Sequence, residues 1–311
     1  MVGIVIVNWN SGSLLGRCLV SIREHAQGCN VVVIDNASED SSLDFLPQSR
    51  LNLAVLRNDI NAGFAAASNQ GWRAGRGDPV LFLNPDTECL PGAVDALAER
   101  LEAESGIWAA GGRLLDPSGA PQAGFNVRAF PSIGSVAAEM LLLDEIWPHN
   151  PWIRRYRMTD WDHNSPRDVD QPAAACLMVR RAVLESLGGF DEAFRPAWFE
   201  DVDLCRRMRN AGGRITFEPR ARFLHHGGDS LRSLTRESFL RYYHTNQIRY
   251  FDKHYGRKAA MRVRRLVIAG LCLRALAAAT AAPLRSRTQG LSSPSYWRLA
   301  RHFAAMREPG Q

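Results

Sequence analysis

The chain has 311 residues, of which 46% are hydrophobic and 23% are charged, and its formal net charge is +6. This composition is that of a globular protein, and it excludes a disordered or low-complexity chain. The six cysteines lie far apart without a Cys-x-x-Cys pair, which excludes a zinc module and a disulfide framework and favours a reducing compartment.

The first third of the chain alternates short apolar runs with amphipathic segments. The predicted strands are Gly3–Val7, Val31–Ile34, Ala54–Leu56 and Val80–Leu83, and the predicted helices are Ser13–Ala26, Phe64–Ala74 and Gly92–Glu104. This alternation predicts a mostly parallel sheet with helices on both faces. The first turn lacks the Gly-x-Gly-x-x-Gly fingerprint of dinucleotide-binding folds, so a nicotinamide enzyme is not expected.

Polar side chains stand where three of these strands end. Asn8 follows the first strand, Asp35 follows the second, and Asn84-Pro85-Asp86 follows the run Val80–Leu83. Ligands of open α/β sheets bind at this edge, and a carboxylate such as Asp86 suits a hard divalent cation shared with phosphate oxygens. Either aspartate could instead close an Asx turn, and the residues alone leave both readings open.

A segment of small residues, Asn61-Ala62-Gly63, opens the helix that begins at Phe64. The free N–H groups and the positive dipole end of a helix can approach a phosphate or a ribose closely at such a position. Asn61 is equally suited to cap this helix, so the segment alone does not decide between binding and capping.

These motifs, taken in order, resemble those of family 2 glycosyltransferases. The segments that carry the resemblance are Ile6–Asn10, Val33–Ser38, Asn61–Phe64 with Asn69, Phe82–Asp86, Gly188–Phe194, Phe199–Cys205 and His225–Ser230. The pattern is most similar to the bacterial rhamnosyltransferase-like subgroup and covers about residues 1 to 230. The resemblance implies an α/β GT-A fold and the transfer of one sugar from a nucleotide diphosphate donor with inversion at the anomeric carbon.

The resemblance also implies roles for residues of the donor site. It makes Asp35 the partner of the base and Asp86 a ligand of Mg²⁺ or Mn²⁺. The further nucleotide-sugar-binding residues that it implies are Asn8, Asn61, Gly63, Asn69 and Asn84. Asn84 departs from the usual Asp-x-Asp motif, because its amide offers one neutral oxygen in place of a charged carboxylate.

Asp201 is the residue that the family pattern assigns as the catalytic base, which removes the proton of the attacking acceptor hydroxyl. We expect a helix to start near Asp201, so the alternative role is an acid that only complements the helix dipole. Trp198 and Glu200 are expected to contact the acceptor. The resemblance also places a histidine near the metal, and alternation from a buried Leu224 favours His226 over His225 for this position.

We expect a catalytic domain over residues 1–230 and a helical extension over residues 231–311. Residues 113–171 contain no family motif, and we expect this insertion to cover the acceptor side of the site. It holds Trp147, Trp152 and Trp161, any of which could instead form a small core.

The C-terminal region is strongly basic. From Asp252 onward there are twelve Arg and Lys residues against two acids. The apolar stretch Ala259–Ala282 contains four arginines and is too charged to span a membrane. We expect it to lie in the interface of an anionic leaflet, with arginines on headgroups, or to pack against the catalytic body or the partner of a homodimer.

The prediction is therefore an inverting, metal-dependent glycosyltransferase that moves rhamnose from dTDP-rhamnose onto a cell-envelope glycan or a lipid-linked acceptor. No secretory signal is seen, so it is expected in the cytoplasm, peripheral to the inner face of the cell membrane. Alternatives are a galactofuranosyl or other hexosyl transferase that uses a UDP-sugar, and a non-catalytic nucleotide-sugar-binding or scaffold protein. A nucleotidyltransferase is disfavoured because no lysine precedes Lys253, and no nucleic acid partner is expected.

Overall fold

The computed structural model describes residues 1–45, 51–227, 234–280 and 291–306. The chain divides into two compact units, which are Met1–Phe130 with Arg157–Ser233, and Pro131–Tyr156 with Leu234–Gln311. We call these the sheet unit and the helical unit. Residues 113–171, which the sequence suggests as one insertion, are divided between the two units.

The sheet unit is built on one large, mostly parallel sheet. Its strands are β1 (Gly3–Asn8), β2 (Asn30–Asp35), β3 (Asn52–Arg57), β4 (Val80–Leu83), β5 (Thr87–Cys89), β6 (Ile107–Leu115), β8 (Arg167–Asp168), β10 (Cys176–Val179) and β11 (Arg214–His225), while β7 (Val127–Arg128) and β9 (Gln171–Pro172) form a separate pair. The order is β3-β2-β1-β4-β10-β6-β11-β5, with β8 beside β11. Strands β3, β2, β1 and β4 are mutually parallel, and β10 is antiparallel to both of its neighbours.

The sequence predicted about half of the helices that the structure describes. They are α1 (Leu14–His25), α2 (Phe64–Ala74), α3 (Ala93–Ala103), α4 (Ile133–Met140), α5 (Leu143–Ile146), α6 (Pro151–Arg157), α7 (Arg181–Leu187), α8 (Glu200–Asn210), α9 (Arg236–Tyr255), α10 (Arg257–Thr280) and α11 (Ser293–Ala305). Helices α1, α2 and α3 lie within one residue of their predicted bounds. The agreement follows from apolar residues that recur at helical spacing.

Two apolar clusters cover the two faces of the sheet. Ile4 and Ile6 of β1 belong to one cluster together with Leu15 of α1, whereas Val5 belongs to the other together with Leu204 of α8. Successive side chains of a strand point to opposite faces, so an uninterrupted apolar strand requires apolar cover on both sides. The predicted sheet with helices on both faces is confirmed.

The helical unit explains two of the four arginines of the stretch Ala259–Ala282. Arg264 donates to the carbonyls of Phe303 and Ala304 at the end of α11, with each nitrogen–oxygen distance 2.6 Å. Arg274 donates to Met140 O at 2.7 Å and Glu139 O at 2.8 Å, at the end of α4. These two side chains therefore cap neighbouring helices, because the last carbonyls of a helix lack partners of their own. This agrees with the packing alternative, and contact of the stretch with a leaflet stays a prediction.

Helix α10 buries the face that carries Val263, Val267 and Leu271. In the part of the chain that the structure describes, no helix combines the length and the apolar character needed to cross a bilayer. Residues 281 and 282, the last two of the predicted stretch, lie outside the described residues.

Candidate functional site

Asn8 and Asp35 end two adjacent parallel strands and stand opposite each other in register. The amide of Asn8 donates to Asp35 Oδ1 at 2.9 Å and to Ser42 Oγ at 2.9 Å, and its Oδ1 accepts from the Ser11 hydroxyl. Asn8 is completely buried, and these bonds use its oxygen and its nitrogen. The Asn8 amide therefore orients the Asp35 carboxylate, and direct contact between Asn8 and the nucleotide stays a prediction.

Asn36 is a residue of this region to which the sequence assigned no role. Its Oδ1 accepts from Asn58 Nδ2 at 3.1 Å and from the N–H of Ala62 at 2.9 Å, and its Nδ2 donates to Asn61 Oδ1 at 2.8 Å. Asn36 thus holds the loop before α2 in place. The sequence did contain a sign of this role, because four asparagines each lie beside a strand end or a helix start. They are Asn8, Asn36, Asn58 and Asn61.

Gly63 occupies a position that requires glycine. Its φ is +89°, and a Cβ there would lie 2.9 Å from the carbonyl oxygen of Pro196. The same oxygen accepts from the N–H of Phe64 at 2.7 Å. The loop predicted to bind the donor is therefore joined to the segment that leads into α8.

Asn69 is a second predicted donor-site residue whose side chain is hydrogen-bonded within the protein. Its Nδ2 donates to Phe190 O at 2.8 Å and to Glu192 Oε1 at 2.9 Å, and its Oδ1 accepts from the N–H of Phe190 at 2.9 Å and from Trp72 Nε1 at 3.1 Å. All four hydrogen-bonding positions of this buried amide are occupied. Asn69 therefore fixes the segment after Gly189 onto α2.

Asp86 lies between β4 and β5, in the turn that begins at Asn84. The N–H of Thr87 donates to Asn84 O at 3.1 Å and closes this turn. Asp86 is buried, and its Oδ1 has no hydrogen-bond partner among the described residues. A buried carboxylate oxygen without a donor is costly, which favours a ligand at this position over a purely structural turn.

His225, rather than His226, faces Asp86. Its Nε2 lies 3.5 Å from Asp86 Oδ1, whereas His226 Nε2 is 2.6 Å from Glu88 Oε1. The prediction assumed that Leu224 is buried, but the buried phase of β11 runs through Phe223 and His225, with Leu224 half-buried. The expected facing of the two histidines is therefore wrong, because the alternation was started from the wrong residue.

Gln122 sets the state of the His225 ring. Its Nε2 donates to His225 O at 2.8 Å, so its Oε1, which lies 2.8 Å from His225 Nδ1, must accept the Nδ1 proton. In the neutral ring, Nε2 then carries a lone pair that faces the unpartnered oxygen of Asp86. Two acceptors that face each other repel, and either a proton on Nε2 or a bound cation between them removes the repulsion.

Asp86 and His225 therefore fit a divalent cation that takes further oxygens from a diphosphate and from water. Among the described residues no group of three or more His, Cys, Asp and Glu side chains encloses a metal ion. This is compatible with a site in which the protein provides few ligands and the substrate completes the shell.

Asp201 and Glu200 lie in the first turn of α8. Asp201 Oδ2 accepts from the N–H of Ala174 at 3.2 Å. Burial raises the pKa of the Asp201 carboxyl, whereas the hydrogen bonds from Ala174 and Val202 and the charge of Arg128 act in the opposite direction. Burial and the neighbouring charge of Asp201 also raise the pKa of Glu200 well above its usual range.

The backbone before α8 is strained. Trp198 and Phe199 have φ values of +74° and +73°, a region in which large side chains are rare. Two consecutive residues of this kind are consistent with strain stored at a functional segment. Phe199 is buried and Trp198 is half-buried, and contact of Trp198 or of the buried Glu200 with an acceptor stays a prediction.

The two carboxylates share one edge of the sheet. The N–H of Asn84 donates to Ala175 O at 3.1 Å, and the N–H of Ala174 donates to Asp201. The turn that holds Asp86 and the first turn of α8 thus bind adjacent residues of one segment, which leads into β10. This edge is also where β1 and β2 end, so the geometry brings the predicted donor and acceptor residues together.

Phe125 and Arg128 form a further pair at this edge. The Phe125 ring stacks on His225 with ring centroids 5.3 Å apart and an interplanar angle of 8°. The guanidinium carbon of Arg128 lies 5.8 Å from the centroid of the same phenyl ring. An aromatic ring and a cation therefore connect the Asp86 side of the edge to the Asp201 side, and no sequence motif pointed to either residue.

Comparison with known proteins supports a role in glycosyl transfer. A family model described as "Glycosyl transferase family 2" matches residues 3–188. An N-acetylglucosaminyl-diphospho-decaprenol L-rhamnosyltransferase of Mycobacterium tuberculosis is 31% identical over 267 residues, which are 81% of this chain and 85% of the relative. A pre-mycofactocin glycosyltransferase of the same organism is 29% identical over 76% of this chain and 45% of its own length.

Solved structures that share the fold are glycosyltransferases of GT-A architecture. GalNAc-T7 with UDP, GalNAc and Mn²⁺ superposes with a TM-score of 0.58 at 15% identity and covers 81% of this chain and 47% of its own. Pyrobaculum calidifontis mannosyltransferase PcManGT with GDP-Man and Mn²⁺ gives a TM-score of 0.54 at 16% identity, and the match covers 99% of this chain and 88% of that chain. At these identities the likeness establishes the GT-A fold.

Proposed function

Because the chain belongs to glycosyl transferase family 2, we propose that it moves a single rhamnose from dTDP-rhamnose onto a lipid-linked, N-acetylglucosamine-containing acceptor. The observation that carries the choice of donor and acceptor is the 31% identity to the mycobacterial rhamnosyltransferase over most of both chains. The chain lacks the Gln-x-x-Arg-Trp motif of processive synthases in the family, which supports transfer of one sugar per encounter.

The sheet unit is proposed to carry the chemistry, with Asp201 as the base. The acceptor hydroxyl attacks the anomeric carbon, its proton passes to the Asp201 carboxylate, and the bond to the nucleoside diphosphate breaks on the opposite side, so the configuration inverts. The raised pKa of Asp201 supports this role, because a base closer to neutrality in pKa takes a proton more readily. Asp35, held by Asn8, is proposed to accept from the base of the nucleotide.

Asp86 and His225 are proposed to hold Mg²⁺ or Mn²⁺, which would neutralise charge on the departing diphosphate. Arg128 has a charge suited to phosphate oxygens and lies toward Asp201, so we propose that it orients an anionic group of the donor or the acceptor. The acceptor lipid resides in a membrane, so the enzyme is proposed to work at the cytoplasmic surface of one.

The proposal is tested by incubating the protein with dTDP-rhamnose, UDP-galactofuranose, UDP-N-acetylglucosamine and GDP-mannose. Each donor is supplied with Mg²⁺ or Mn²⁺, with and without a polyprenyl diphosphate N-acetylglucosamine acceptor. We expect acceptor-dependent release of dTDP and a product heavier by one deoxyhexose. Preference for another donor would overturn the rhamnose assignment, and the absence of release from every donor would overturn catalysis.

A further inference from the structure

The helical unit exposes an apolar segment, Ile146–Trp152, which runs from the last residue of α5 to the second residue of α6 and which we call the tryptophan loop. Ile146 is 78% exposed, Trp147 is 54% exposed and Trp152 is 49% exposed. Pro148, His149 and Pro151 are also exposed, and only Asn150 is buried. Large apolar side chains gathered in so short an exposed segment mark an interaction surface.

The loop has a defined shape. Asn150 Nδ2 donates to Trp147 O at 2.9 Å and to Leu143 O at 3.3 Å, and Asn150 Oδ1 accepts from the N–H of Ile153 at 3.0 Å. The Trp152 indole lies directly over Gly134, where an added Cβ would be 2.6 Å from Cδ1. The backbone is thus fixed from within, while the side chains of Ile146 and Trp147 project outward.

The charge of the surroundings indicates the partner. Arg154 and Arg155 follow the loop and are exposed, while the half-buried Asp144 and the exposed Glu145 precede it. The described residues of the helical unit contain 14 Arg and Lys against 5 Asp and Glu, a formal charge of +9. A partner that accepts both indole rings and arginines is the interface of a bilayer with anionic headgroups, where tryptophan and arginine are each favoured.

We propose that the tryptophan loop inserts into the headgroup region of an anionic phospholipid bilayer and anchors the protein there. Ile146 and Trp147 enter the acyl boundary, and Arg154 and Arg155 contact phosphate groups beside them. The contact therefore comes from this loop, and not from the capping arginines of α10. The inference does not depend on the proposed function, since it concerns binding in the absence of donor and acceptor.

The test is co-sedimentation of the full chain with vesicles of phosphatidylcholine that contain about one third phosphatidylglycerol. We expect the double substitution Ile146→Ser with Trp147→Ser to weaken partitioning at least about tenfold. Trp152 is left unchanged because it packs on Gly134. Arg154→Glu with Arg155→Glu should weaken binding to these vesicles at least about fivefold while leaving the apolar residues intact.

Trp297→Ser is the matched control, since this residue is also a tryptophan of the helical unit, is 39% exposed and lies outside the loop. It should bind as the wild type does. Circular dichroism verifies that each variant is folded. The proposal is overturned if the folded wild type stays in the supernatant, if Trp297→Ser loses as much binding as the double variant, or if light scattering shows a wild-type dimer that the double variant converts to monomer.

Discussion

Two regions of the same sheet edge differ in whether their buried polar groups have hydrogen-bond partners within the protein. In the amide cluster, formed by Asn8, Asp35, Asn36, Asn58 and Asn61, side chains bind one another at ordinary hydrogen-bond distances. On the other side, which we call the carboxylate edge, Asp86 Oδ1 and Glu200 Oε2 are buried without a hydrogen-bond partner among the described residues.

This difference shows which groups are built for stability and which are built for ligands. A saturated network holds a loop in one shape before any ligand arrives, and its amides have little left to offer, whereas Asp35 uses only Oδ1 to accept from Asn8. Unpartnered buried carboxylates cost stability and persist where a substrate or a cation supplies the missing contact. Substitutions in the two regions should therefore have opposite consequences.

The largest expected effect is that of Asp201→Asn at the carboxylate edge. Because the amide cannot take the proton of the acceptor hydroxyl, kcat should fall about 10³-fold while affinity for dTDP changes little. The raised pKa of Asp201 means that its ionised form destabilises the fold at neutral pH, so the variant should be at least as stable as the wild type.

Steady-state release of dTDP measures the rate, and calorimetric titration with dTDP measures the affinity. Asp160→Asn, an exposed aspartate of the same unit, is the control and should leave both unchanged. Turnover of Asp201→Asn at the wild-type rate would exclude this residue as the base.

Asn8→Ala should have the opposite signature in the amide cluster. It removes a partner of Asp35 Oδ1 and of three serine hydroxyls, so the free energy of unfolding should fall by about 2–3 kcal/mol. Urea denaturation followed by circular dichroism checks this value. Asn58→Ala, at a half-buried position of the same cluster, should cost less than about 1 kcal/mol, and equal losses in the two variants would contradict the comparison.

Gln122→Ala tests how the carboxylate edge prepares for a metal ion. Without Gln122 the His225 ring loses the acceptor that holds its Nδ1 proton, so Mn²⁺ affinity in the presence of dTDP should weaken about tenfold. Gln122→Glu retains an acceptor for Nδ1 and should keep most of the affinity. Electron paramagnetic resonance of free Mn²⁺ gives the readout, with Gln70→Ala as the control. Unchanged affinity in Gln122→Ala would show that Gln122 does not position the ring for a metal ion.

The smallest expected effect concerns pH. Transfer should decline as pH falls through the pKa of Asp201, which burial holds above the ordinary value of 3.8, because the protonated carboxyl cannot act as a base. Arg128→Gln removes a charge that lowers this pKa, so the acidic limb of kcat/KM should move to higher pH, while loss of the proposed contact with an anionic group lowers kcat/KM at every pH. Arg209→Gln, at the far end of α8, should leave the limb in place. If the acidic limb stays at the same pH in Arg128→Gln, then the charge of Arg128 does not influence the pKa of the catalytic base.

Some of the site could be read from the sequence because it depends on local order. The strand ends placed Asn8, Asp35 and Asp86 on one edge, and the acids before an amphipathic pattern placed Asp201 at the start of a helix. The family motifs are short and occur in a fixed order, so the fold followed from them. The pairing of Asp203 with Arg207, at 2.7 Å, was also within reach, since residues four apart meet on a helix.

Other features could not be predicted because they depend on contacts between distant segments. Gln122 lies 103 residues from His225, and Asn69 lies 121 residues from Phe190. No local pattern shows that an amide is saturated, since saturation depends on partners that only folding assembles. The prediction of which histidine faces Asp86 was wrong for a related reason. The elements packed on β11 decide which of its alternating residues are buried, and the sequence of the strand alone does not show them.

The sequence by itself determined the family, the alternation of strands and helices, and the row of polar residues at the strand ends, because each of these follows from composition, periodicity and order along the chain. Only the tertiary structure decided which of those residues remain available to a ligand. It turned Asn8 and Asn69 into supports, brought His225 to Asp86, and left Ile146 and Trp147 at the surface. A polar side chain can bind a ligand only if the folded protein leaves some of its hydrogen-bonding positions unoccupied. That depends on neighbouring residues, which come from all parts of the chain.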